Sequence, residues 1–112
     1  MAGGMEEIML RILMHGQGNM FGRTVLAEYQ EVTDQELALT TVYTILGRLE
    51  NKGFVGTEWV EPAEGSGERR KQRFFIKGEG EAALRELEQQ QQRLQAAFPL
   101  PLIGLAQDKG VL

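Results

Sequence analysis

The sequence contains no cysteine. That removes disulfides, thiolate metal sites and a cysteine nucleophile, and it suits a cytoplasmic chain. It has a single histidine, His15, in a glycine-rich turn, where an imidazole is ordinarily just solvated. No HExxH pattern, phosphate-loop glycine motif or Ser–His–Asp set can be assembled. The glycine-rich segments HGQGNMFG and KGEGE lack the preceding strand that a nucleotide loop requires and read as turns. No apolar run approaches the roughly 18 residues of a membrane span. The start, MAGGMEEIML, lacks the basic-then-apolar order of a secretory signal. An enzyme, a metal, a cofactor and a membrane partner are therefore not expected.

Basic charge is also scarce, except in one place. The 112 residues carry 12 Lys/Arg against 16 Asp/Glu, a net charge of −4. Residues 1–40 hold two basic and six acidic groups, and residues 78–112 hold three and five. The middle, 41–77, holds seven and five, and within 69–77 there are five basic residues and no acid. An anionic partner must therefore meet the middle of the chain. The length suits one small domain.

Apolar spacing predicts a short helix over Met5–Met14, through Met5, Ile8, Met9, Ile12 and Leu13. A second helix is expected from about Phe21 to Gln30, followed by a turn in EVTDQE with Thr33 or Asp34 as a helix cap. The third helix is the clearest: Leu39, Val42, Ile45, Leu46 and Leu49 form one stripe, and Gly53 stands where a helix-ending glycine belongs. Two strands follow, Phe54–Val60 and Lys71–Lys77, joined by EPAEGSGERR as a long hairpin tip. On the second strand Phe74 and Ile76 share one face, and Arg73, Phe75 and Lys77 the other. A last helix is expected after Gly78 and Gly80, with Leu84, Leu87, Gln91, Leu94 and Phe98 at seven-residue spacing, ended by Pro99 and Pro101.

The third helix turns Thr40, Thr41, Thr44, Gly47, Arg48 and Asn51 away from its apolar stripe, with Tyr43 at the margin. Short hydroxyls and one arginine around a bare glycine suit close approach to phosphates and base edges. Threonine is a mediocre helix former, so an ordinary solvated face would favour Glu and Lys instead. A helix followed directly by a basic ribbon is the order of a winged helix-turn-helix, in which the third helix enters the major groove and the ribbon lies along the flanking backbone. Arg69, Arg70, Lys71 and Arg73 would then neutralise phosphates. Edge-strand protection also explains basic residues on a ribbon, but one or two would serve. Trp59, on the first strand, is expected to cover the hydrophobic side of the hairpin.

The stretch TTVYTILGRLENKGFVGTEWVEPAEGSGERRKQRFFIKGEGEAAL resembles the PadR family of transcriptional regulators. The resemblance rests on Tyr43, Leu46, Arg48, Leu49 and Glu50, then Gly53, the basic strand Arg69–Arg73, and Gly80 opening a helix. It covers about residues 6–95 and is strongest from 40 to 84. Departures are Arg23 where an aromatic residue is usual after Gly22, Phe74 in place of Tyr, and Lys77 in place of Thr. The resemblance implies an α+β, mostly α fold: a winged helix-turn-helix over 5–78 and a C-terminal dimerisation helix over 79–98. Nothing in 99–112 matches the family, and that segment is expected to be a flexible tail. It implies a homodimeric repressor on a palindromic DNA operator of its own or neighbouring genes, released in some members by a phenolic or flat hydrophobic effector. DNA contacts would come from Thr40, Thr41, Tyr43, Thr44, Arg48, Arg69, Arg70, Lys71 and Arg73. The dimer interface would use Ile8, Met9, Ile12, Leu84, Leu87, Gln91, Leu94 and Phe98. An effector pocket would lie among Met5, Ile8, Met9 and Ile12 of one chain and Leu87, Gln91 and Leu94 of the other. The apolar seam of the last helix supports dimerisation independently, although it could also fold onto its own core. The acidic total motivates the alternative, a winged-helix protein–protein interaction module without DNA binding.

Overall fold

The computed structural model describes residues 4–17 and 20–101. The order is α1 (Gly4–Gly16), β1 (Met20–Phe21), α2 (Gly22–Thr33), α3 (Leu39–Asn51), β2 (Val55–Val60), β3 (Lys71–Ile76) and α4 (Gly78–Ala97). This is the expected mostly helical α+β winged helix with a further C-terminal helix. Of the expected tail, Pro99–Pro101 have no regular structure and are exposed; the rest lies outside the described residues.

The apolar stripes meet in one core. Met9, Leu10, Ile12 and Leu13 of α1 pack with Val25 and Tyr29 of α2, Val42, Ile45, Leu46 and Leu49 of α3, Val55, Phe74 and Leu84. Burying each such side chain contributes roughly 1.5–3 kcal/mol before entropy is charged against it. The sheet is antiparallel in the order β1-β3-β2. Val55 faces Ile76 and Thr57 faces Phe74, so the alternation read from the sequence holds: Phe74 enters the core and Arg73 turns away.

Three local expectations are corrected. The hairpin is a three-stranded sheet, because Met20 pairs with Phe74 and Phe21 with Arg73. Phe21 therefore belongs to a strand, and α2 starts one residue later and runs three residues further than expected. The cap expected at Thr33 or Asp34 is the C-terminal cap of α2, at Asp34. Asp34 adopts φ 56° and donates its N–H to the Gln30 carbonyl; the Thr33 hydroxyl donates to the Tyr29 carbonyl and accepts from the Gln35 N–H. The N-cap of α3 is Ala38, which offers no side-chain hydrogen bond. Finally, Gly80 lies inside α4 and not before it. A Cβ there would strike the Phe54 carbonyl oxygen, so the glycine lets α4 seat on the turn after α3.

The turn after α3 follows the expected glycine signal. Gly53 has φ 81°. Its N–H reaches the Glu50 carbonyl at 3.0 Å, and the Phe54 N–H reaches that of Leu49 at 3.0 Å. The paired bonds satisfy the open carbonyls of the helix end and aim the chain straight into β2.

α4 is tied to α1 as far as Gln91. Arg11 bonds Glu7 and Glu88, and Gln91 Nε2 donates to Glu7. The hydrogen bond to Glu88 raises the Arg11 pKa above its ordinary value against a smaller opposing effect of burial, with Glu7 adding to the rise. Beyond this point Leu94 and Phe98 are 54% and 75% exposed.

Candidate nucleic-acid interface

α3 presents Thr40, Tyr43, Thr44, Arg48 and Asn51 to solvent, with Thr41 and Gly47 half-buried beside them. Nothing lies within 4 Å of a Cβ built on Gly47, so that part of the face is open. The Thr44 hydroxyl donates to the Thr40 carbonyl at 2.9 Å. Its one proton is therefore committed to the helix, and what it offers outward is a methyl group and an acceptor.

Tyr43 is held in place by a glycine. A Cβ on Gly22 would lie 2.5 Å from the Tyr43 ring carbon Cζ and from its hydroxyl. Gly22 thus lets the phenol lie directly over the start of α2, and the ring also packs against Phe74 at a centroid distance of 6.0 Å.

The four basic residues of the wing do not have equal surroundings. Arg69 and Arg70 precede β3 and are exposed, as is Lys71. Arg73 pairs across the ribbon with Glu58 and lies 5.5 Å over the Phe75 ring. Phe75 in turn covers Gly56, whose missing Cβ would lie 2.5 Å from the ring. Phe75 thus serves as the platform on which Arg73 rests, a role the alternation pattern alone did not supply.

Trp59 departs from expectation. It faces Gln72 in the register, so it shares the strand face of Val55 and Phe74. It sits past the end of the core, however, and is 51% exposed. The Arg70 guanidinium lies over its ring at 4.2 Å. In front of it is a cleft of about 360 Å³ lined by Phe21, Gly22, Arg23, Thr24, Tyr43, Trp59, Arg70, Lys71 and Gln72. Arg23 and Thr24, which β1 draws toward the wing, are not among the residues expected to contact DNA. The one available signal was an arginine at the point of departure from the family pattern.

Ion pairing divides the cations by location. Arg11, Lys52, Arg73 and Arg85 each pair with a carboxylate, Lys52 reaching Glu6 at 2.7 Å. Among the described residues Arg23, Arg48, Arg69, Arg70 and Lys71 do not; Lys77 and Arg93, elsewhere on the surface, are likewise unpaired.

The residues expected at a dimer interface are scattered by burial. Met9, Ile12 and Leu84 are core residues of the chain itself, at 0, 9 and 6% exposure. Ile8 and Leu87 are half-buried, whereas Gln91, Leu94 and Phe98 are exposed. No group of three or more His, Asp or Glu suited to a metal ion occurs among the described residues, and no described helix is long and apolar enough to cross a membrane.

The fold has many relatives among solved structures. A PadR-like transcription factor from Bacteroides fragilis matches with a TM-score of 0.68 at 22% identity, over 83% of this chain and 84% of that one. A PadR family regulator from Clostridium difficile gives 0.67 at 20% identity, over 85% and 94%. A PadR-like regulator from Bacillus cereus gives 0.66 at 15%, over 83% and 85%. No curated protein sequence matches. At these identities the likeness shows the fold alone. The sequence profile described as "Transcriptional regulator PadR-like family" matches residues 9–86, from α1 into α4. The chain accordingly belongs to the PadR-like family of transcriptional regulators, which are DNA-binding transcription factors and not enzymes.

Proposed function

We propose that this regulator is a cytoplasmic, homodimeric repressor that binds a palindromic operator at its own or a neighbouring gene. The observation that carries the reading is the pairing pattern: in an acidic chain, Arg48, Arg69, Arg70 and Lys71, on α3 and the adjoining wing, have no carboxylate partner among the described residues. Thr40, Thr41, Thr44 and Arg48 would read the major groove, with Tyr43 at its margin. Arg69, Arg70 and Lys71 would hold backbone phosphates. Arg73 shares its charge with Glu58 and contributes least. The exposed Leu94 and Phe98 of α4 supply the apolar seam for a second copy, placing half-sites one or two helical turns apart.

An effector reading goes with it. Ile8, Ile12, Met20 and Val32 line a mostly apolar cleft of about 350 Å³ between α1 and α2, rimmed by Arg11, His15 and Glu28. That volume lies in the range of small-molecule sites and suits a flat hydrophobic or phenolic compound; of the residues expected to line an effector pocket only Ile8 and Ile12 do so here, and Met9 is fully buried in the core.

The test is a mobility shift on the duplex upstream of the protein's own gene. Arg70→Ala should weaken binding to every duplex and flatten the salt slope by about one. Arg48→Ala should change which sequences bind. Wild-type affinity, selectivity and slope in both variants would overturn the site; no binding by the wild type would leave an interaction module without DNA.

A further inference from the structure

The cleft under the wing is unusual in a chain of this charge. Sixteen of 112 residues are acidic, yet none lines it. Three of its nine lining residues are cations, Arg23, Arg70 and Lys71, and none of the three has a carboxylate partner among the described residues. Three more are aromatic: Phe21, Tyr43 and Trp59.

The rings hold the cations and leave their donors free. The Arg70 guanidinium lies 4.2 Å over Trp59. Stacking uses the face of the guanidinium and leaves its N–H groups available, which reduces the ordering an exposed arginine must undergo on binding an anion. Lys71 Nζ lies 5.8 Å from the Phe21 ring centroid. Opposite, β1 pairs Phe21 with Arg73, and this pairing starts α2 beside the wing and puts Arg23 in its first turn. That turn has no side-chain cap and no acid. Tyr43, seated on Gly22, joins the cleft to the exposed face of α3. A helix lying in a major groove has a sugar–phosphate strand on each flank, and a cation-lined, acid-free cleft beside Tyr43 is placed for one of them.

We infer that this cleft is a preassembled phosphodiester clamp, with Arg23 on α2 and Arg70 on the wing as its two jaws and Trp59 as the residue that positions Arg70. The inference rests on the DNA-binding reading above and adds two residues to it.

The experiment measures affinity for the upstream duplex and for an unrelated duplex of equal length, each at several salt concentrations. Arg23→Ala should weaken both about equally, on the order of tenfold, and reduce the salt slope by about one. Trp59→Leu should reproduce the loss seen in Arg70→Ala, Trp59→Phe should retain most of the binding, and Trp59→Leu combined with Arg70→Ala should bind no more weakly than Arg70→Ala alone. Unchanged affinity and slope in Arg23→Ala would overturn the jaw on α2. Additive losses from Trp59→Leu and Arg70→Ala, or no rescue by Phe, would overturn the positioning role. If the wild type binds neither duplex, the DNA-binding reading fails and the clamp with it. If Arg48→Ala and Arg70→Ala behave as proposed while Arg23→Ala is silent, only the clamp fails.

Discussion

At the scale of single residues, two glycines show how a missing methyl group can organise a site. A Cβ on Gly22 would meet the end of the Tyr43 side chain, which can swing away; a Cβ on Gly80 would meet the Phe54 carbonyl and Ile76, and the carbonyl cannot. Both substitutions overpack, at a typical cost of about 1–3 kcal/mol. Gly80→Ala is expected at the upper end of that range and Gly22→Ala at the lower. In urea denaturation, Gly22→Ala combined with Tyr43→Ala should lose less stability than the two single changes added together. Additive losses would mean that the ring does not rest on the glycine.

At the scale of elements, legibility followed periodicity. The third helix could be read because Leu39, Val42, Ile45, Leu46 and Leu49 repeat at helical spacing and Gly53 ends them, and the structure buries all but Leu39 of that stripe. β1 could not be read: two residues hold no period, and Met20 and Phe21 become a strand only because Phe74 and Arg73 lie alongside. Trp59 could be assigned to the right strand face but not to its position beyond the core, since strand alternation says nothing about where a core ends. For the same reason the heptad of α4 did not reveal its division. Leu84 belongs to the chain's own core, whereas Leu94 and Phe98 remain uncovered. Introducing Leu94→Glu and Phe98→Glu together should therefore yield a folded monomer with a wild-type helical spectrum, seen by sedimentation. A dimer that survives both changes would place the interface elsewhere.

At the scale of the whole molecule, the net charge of −4 conceals a division of labour. Carboxylates neutralise the cations that tie α1 to α3 and α4, and the wing's Arg73, while α3, the wing edge and the start of α2 keep theirs open. Among the described residues five open cations lie on or beside this face in each chain, Arg23, Arg48, Arg69, Arg70 and Lys71, and they set the number of phosphate contacts it can make. A dimer using all of them would show a log–log salt slope no steeper than about −9. A steeper measured slope would mean that Lys77, Arg93 or the residues beyond 101 also take part.

The stacked pair at the wing has one more consequence. Trp59 is the chain's sole tryptophan, and it is half-exposed beneath a guanidinium. All indole fluorescence of the protein therefore originates at one point beside the candidate DNA surface. Events at the wing can be followed in real time by emission alone, without a dye attached to either protein or nucleic acid.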